Sequence, residues 1–227
     1  MFTGHYGPSF AANALDQDKR LPLWLLFIAV QFVDILWAIF VLLGIEKVRI
    51  VPGITASSPL DLHYMPYTHS LVGALGWSLL AFVVCQVVPR LRGMRTGWIL
   101  AAAVFSHWIL DLVVHRPDLT LYGGAYKMGF GLWNYRVLAF VVEMAVLFGG
   151  AALYVRTVAR KGRVIAFVVA LALLQVVGTF VLPPPSSDRA EAMTALFFYF
   201  LLAAIAAWVE RGQRRVKPTV EVASTSR

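Results

Sequence analysis

Six apolar runs, each close to membrane-spanning length, divide this chain: 21–44, 69–89, 97–116, 136–156, 164–183 and 191–209. About 20 mostly apolar residues in a helix cover the roughly 30 Å of hydrocarbon in a bilayer. Within that layer each isolated segment has to satisfy its own backbone polar groups, and the helix is the structure that does so. The expected fold is therefore an all-α integral membrane protein, a polytopic bundle of about six transmembrane helices. Composition agrees, with 59% hydrophobic and 14% charged residues against about 25% charged in a soluble domain.

Residues 1–217 read as a single transmembrane helical domain, and 218–227 as a polar, disordered tail. Lys19 and Arg20 precede a first run too long for a signal-peptide core, so that span is expected to stay in the protein. Cys85 lies inside an apolar run and excludes a disulfide framework. Gly149 and Gly150 offer a place for a neighbouring helix to come close. Pro183, Pro184 and Pro185 end the fifth run.

The net charge of +8 does not point to nucleic acid, because the basic residues sit in short clusters between apolar runs. Membrane lipids are the expected partners. With the N-terminus inside, fourteen of the 20 Lys and Arg fall on the inner side and six on the outer. That bias predicts both termini in the cytoplasm, with a bacterial cytoplasmic (inner) membrane as the setting. The two long connections, 45–68 and 117–135, then lie outside. Loops longer than about 12–15 residues often cover functional sites.

An ionisable group inside a span is costly and marks a functional site by default. On the third run His107, Asp111 and His115 recur every fourth residue and share one helix face. His69 opens the second run behind Thr68, the expected N-cap. Asp34 in the first run and Glu143 in the fourth fall at comparable height, taking about 1.5 Å per residue. Helix bundles build metal sites from such inward-facing residues. Nitrogen and oxygen donors without thiolate suit a divalent transition metal, zinc being the expected one. The metal candidates are His69, His107, Asp111, His115 and His5, with Asp34 and Glu143 as proton-accepting catalytic carboxylates. His5 starts on the inner side, so it either dips into the bundle on a re-entrant helix or stays at the surface. His63, Arg116, Asp118, Lys127 and Arg136 in the outer loops form an expected substrate-binding rim for an amphiphilic or anionic molecule. The fifth and sixth runs hold no Asp, Glu, His, Lys or Arg in their cores and read as scaffold.

The stretches THS (68–70) and SHWILDLVVHRPDL (106–119) resemble the YdjM-like family of bacterial inner-membrane metal-dependent hydrolases. The resemblance covers about the N-terminal two-thirds of the chain. It implies a metal at His69, His107, Asp111 and His115 with Asp118 nearby, and matches His5 and Asp34 to an early histidine and carboxylate. Here the family's Pro-Asp-x-Asp/His cluster is reduced to Asp34, which argues against a second metal. The function expected is an intramembrane metal-dependent hydrolase acting on an amphiphilic or lipid-like substrate. The alternatives are a transporter or channel using the same groups as a proton or cation relay, and a scaffold whose polar seam only joins helices.

Overall fold

The computed structural model describes residues 2–18 and 20–213. The tail, together with Lys19, Arg214, Arg215 and Lys217, lies outside the described residues. The helices are α1 (Tyr6–Leu15), α2 (Leu23–Val30), α3 (Phe32–Leu42), α4 (Leu71–Val87), α5 (Met94–Val114), α6 (Arg136–Val155), α7 (Lys161–Phe180) and α8 (Asp188–Glu210). Each of the six apolar runs is helical. Four helices, α5 to α8, are long and apolar enough to cross a membrane, and α2 with α3 makes a fifth if the bent pair is one span. At 17 residues α4 is shorter. The chain is thus a mostly helical protein built for a membrane.

The two long connections depart from an all-α description. Strands β1 (Lys47–Ile50) and β2 (Leu60–Tyr64) form one antiparallel hairpin, and β3 (Leu119–Tyr122) and β4 (Ala125–Met128) form another. Both sit at the same end of the bundle, where Ser70 bridges to Thr120. Pairing satisfies the backbone of these loops where they cover the helix ends.

The first apolar run does not make one straight helix. It breaks at Gln31, with α2 and α3 inclined at 54°. The break exposes the carbonyl of Val30 to the bundle interior, where it accepts a bond from the His107 ring. On α4, the N-cap is Ser70, whose Oγ accepts from Gly73 N, so the expectation for Thr68 is corrected. Thr68 instead uses its hydroxyl on Glu46 and His69.

Helix α1 is the element that the run-by-run reading left open. It lies inside the bundle, with Tyr6 and Phe10 wholly buried against Phe27, Tyr154 and Phe167. Two of its polar side chains bond to backbone there: Ser9 donates to the Tyr6 carbonyl, and Asn13 to the Leu21 carbonyl. Contact with α6 is made backbone to backbone at glycines. A Cβ on Gly150 would overlap the Gly7 carbonyl, and one on Gly7 the Val146 carbonyl. Gly149, by contrast, faces open space.

Candidate metal centre

The seat of α1 carries His5 to the middle of the bundle, where it is fully buried. The His5 ring stacks on that of His107, with centroids 4.0 Å apart. The i, i+4 spacing on α5 delivers Asp111 beside His107, and His115 follows where α5 ends ahead of Pro117. His69 enters from the turn before α4 and Asp34 from the first turn of α3. Four separate segments therefore converge on one point.

At that point the ring Nε2 atoms face carboxylates. His107 Nε2 lies 3.1 Å from Asp111 Oδ2 and 3.3 Å from Asp34 Oδ1. His69 Nε2 lies 3.2 Å from Asp34 Oδ1 and 3.7 Å from Asp111 Oδ2. The other oxygen, Asp111 Oδ1, is 3.3 Å from His5 Nε2 and 3.8 Å from His115 Nε2. Zinc–ligand bonds of about 2.0–2.1 Å in a tetrahedron put neighbouring donor atoms about 3.3 Å apart. Four of the six edges among His69, His107, Asp34 and Asp111 lie near that length, and the donors within 4.8 Å of one another are Asp34, His69 and His107 on one side and His5, His107 and Asp111 on the other. Asp111 then presents its second oxygen to His5 and His115.

The far side of each ring decides which nitrogen carries a proton. The Val30 carbonyl only accepts, so His107 Nδ1, at 2.8 Å, is the donor. Thr68 donates its one hydroxyl proton to Glu46 Oε2 at 2.6 Å and so accepts from His69 Nδ1 at 2.8 Å. The Asp118 carboxylate likewise accepts a hydrogen bond from His115 Nδ1 at 3.1 Å. In neutral rings these bonds leave the Nε2 lone pairs directed at carboxylate oxygens; in a doubly protonated ring Nε2 donates to them instead. His107 Nε2 has no hydrogen-bond partner at all. Lone pair facing lone pair in a buried site repels unless a proton or a metal cation stands between. Ring protons held by carbonyl, hydroxyl or carboxylate partners are also how metal-ligating histidines are oriented.

Thr68→Val keeps the shape and removes the acceptor of the His69 ring proton. Glu46 retains its bonds from the backbone of Tyr67 and Thr68. Metal affinity, titrated against a chromophoric chelator, is expected to fall about 10–100-fold. An unchanged affinity would mean that the Glu46–Thr68–His69 relay orients nothing.

The remaining predicted residues are placed as follows. Asp34 stands among the proposed ligands rather than beside them, and Tyr199 donates to its Oδ2 at 2.7 Å. Glu143 is buried outside the cluster and accepts from the Phe2 backbone N–H. Arg116 pairs with Asp61 and with Asp118. His63 is exposed on β2, its Nε2 2.9 Å from Arg49, and Lys127 is exposed on β4. Neither lines the cavity that reaches the centre, whereas Arg136 does. The expected basic rim is thus reduced to one cation among the described cavity residues. Sequence reasoning missed Tyr199 on α8 and Gln175 on α7, which binds the Thr3 backbone and hydroxyl. A single phenol and a single amide in otherwise apolar runs were the available signals, and they correct the view of these helices as scaffold.

The cavity is about 600 Å³, and Asp34, His69, Asp111 and His115 form its polar floor. No family model, curated protein or solved structure matches the chain.

Proposed function

We propose that this chain is an intramembrane metal-dependent hydrolase. The observation that carries the proposal is the convergence of four histidine Nε2 atoms on the two oxygens of Asp111 and on Asp34. His69, His107, Asp34 and Asp111 would hold one divalent metal, zinc by donor type and spacing. His5 and His115, on the other oxygen of Asp111, would hold a second more weakly, leaving a position open for water. A metal bound here would supply Lewis acidity and lower the pKa of a bound water towards about 7. In this reading Asp118, Thr68 and the Val30 carbonyl keep the imidazoles in place. Glu143 lines the same cavity as a proton acceptor.

The location of the centre in the THS and SHWILDLVVHRPDL stretches supports the likeness to the YdjM-like hydrolases. The proposal includes six membrane crossings, hairpins outside and both termini inside a bacterial cytoplasmic membrane. An amphiphile is the substrate class that a cavity within a bilayer favours. A relay for transport is disfavoured because Tyr6, Phe10 and Phe27, all 0–1% exposed, fill the bundle beside α1. Those rings support a cavity open at one end.

Elemental analysis of protein purified without chelator or metal-affinity resin tests the proposal. About one tightly held equivalent of transition metal is expected, with a second taken up on titration. His107→Ala should remove the tightly held metal, since its Nε2 faces both Asp111 Oδ2 and Asp34 Oδ1. Protein that carries no metal and takes up none on added zinc would refute the reading.

A further inference from the structure

The cavity above the centre has two exposed edges of different character. One is polar: Gly53, Ala56 and Arg136, at the hairpin end. The other is apolar and made by α7 and α8: Gly178, Phe180 and Leu182, with Thr194 opposite. Phe180 is 46% and Leu182 60% exposed, and on membrane-crossing helices such side chains face lipid. Between this edge and the polar floor the walls are Phe140 of α6, Leu174 of α7, and Ala195 and Phe198 of α8. A molecule lying in the cavity would therefore have its polar part at the floor and at Arg136, and its apolar part running out between α7 and α8.

Charge narrows the class of head group. Four carboxylates line the cavity, Asp34, Asp111, Glu143 and Glu191, against one cation, Arg136. Two divalent ions at the centre would balance the four carboxylates and leave Arg136 in excess. Arg136 is an exposed residue whose Nε donates to the Ala56 carbonyl at 2.6 Å, which fixes the guanidinium beside the 53–59 loop. Its other N–H groups are of the kind that grip phosphate or carboxylate oxygens. The volume of about 600 Å³ lies within the usual range of roughly 300–1,000 Å³ for small-molecule sites.

We infer that the substrate is a chain-bearing anionic amphiphile that reaches the centre sideways from the bilayer, its chain between α7 and α8 and its anionic head between Arg136 and the Asp111 cluster. This rests on the hydrolase reading for its chemistry, but the binding geometry is testable without turnover. Gly178 is the position for the test. A Cβ built there meets nothing within 4 Å, so a larger residue obstructs the apolar edge without disturbing the helix.

The experiment uses the full chain in nanodiscs with a trace of a diazirine-bearing alkyl phosphate. Cross-linked peptides are read by mass spectrometry with dodecyl phosphate, dodecanol or inorganic phosphate as competitor. Saturable labelling of the 192–199 segment, protected by dodecyl phosphate at least about tenfold better than by the other two, is expected. Gly178→Leu should raise the protecting concentration of dodecyl phosphate by about tenfold or more, and Thr194→Trp should do so from the opposite wall. Arg136→Gln should erase the advantage of dodecyl phosphate over dodecanol. Protection by inorganic phosphate alone, or equal protection in Gly178→Leu, Thr194→Trp and the unaltered protein, overturns the inference. Saturable protection in protein that binds no metal would leave this inference standing and remove the hydrolase reading.

Discussion

Exchanging Asp111 for Asn is expected to strip the protein of transition metal while leaving it folded. The two oxygens of Asp111 face four imidazole nitrogens, at 3.1 to 3.8 Å. An amide keeps the shape but is neutral, and its nitrogen donates where a ligand has to accept. Metal content should fall below about a tenth of that of the unaltered protein. Turnover of an amphiphilic ester should drop on the order of 10³-fold or more, because water without a metal is a far weaker acid than metal-bound water with a pKa of about 7.

Zinc is also expected to separate the two proteins by stability. At 100 times its Kd, binding to the folded parent adds about 2.7 kcal/mol, and Asp111→Asn gains nothing. Thermal unfolding with and without chelator reads the difference. Retention of metal by Asp111→Asn, or a parent that zinc does not stabilise, would sink the metal assignment.

What could be read from the sequence was local in origin. The four-residue spacing of His107, Asp111 and His115 is a property of one helix, and it does place all three on the face that meets the centre. The apolar runs found their helices for the same reason. What escaped depends on contacts between distant segments. Glu46 lies 22 residues before Thr68, and its role in fixing the His69 ring appears only when the β1–β2 hairpin folds back on the start of α4. Tyr199 meets Asp34 across 165 residues, so nothing near either of them announced the pair. The bend at Gln31 frees the Val30 carbonyl for His107, 77 residues further along the chain, so the contact that accompanies it has no local signature. The two hairpins were hidden because their strands have only four or five residues, too few for a period-two pattern to stand out.

Gly150→Leu is expected to detach His5 from the centre without touching any ligand. On an ordinary helix surface, replacing Gly improves helix propensity by up to about 1 kcal/mol. At Gly150 the added side chain meets the Gly7 carbonyl, which belongs to backbone and has no rotamer to move into. Helix α1 therefore has to shift, and overpacking of this sort costs about 1–3 kcal/mol. His5 begins one turn away from that contact and rides on the same rigid element. Gly150→Leu should consequently reproduce His5→Ala: the second, weaker metal is lost while the one held by His69, His107, Asp34 and Asp111 remains. Gly149→Leu is the control, since Gly149 faces open space and its exchange should stay within about 0.5 kcal/mol. Metal stoichiometry and thermal unfolding of the three variants decide the matter. If Gly150→Leu takes up as much metal as the parent, α1 does not serve to carry a ligand, and the second oxygen of Asp111 has some other use.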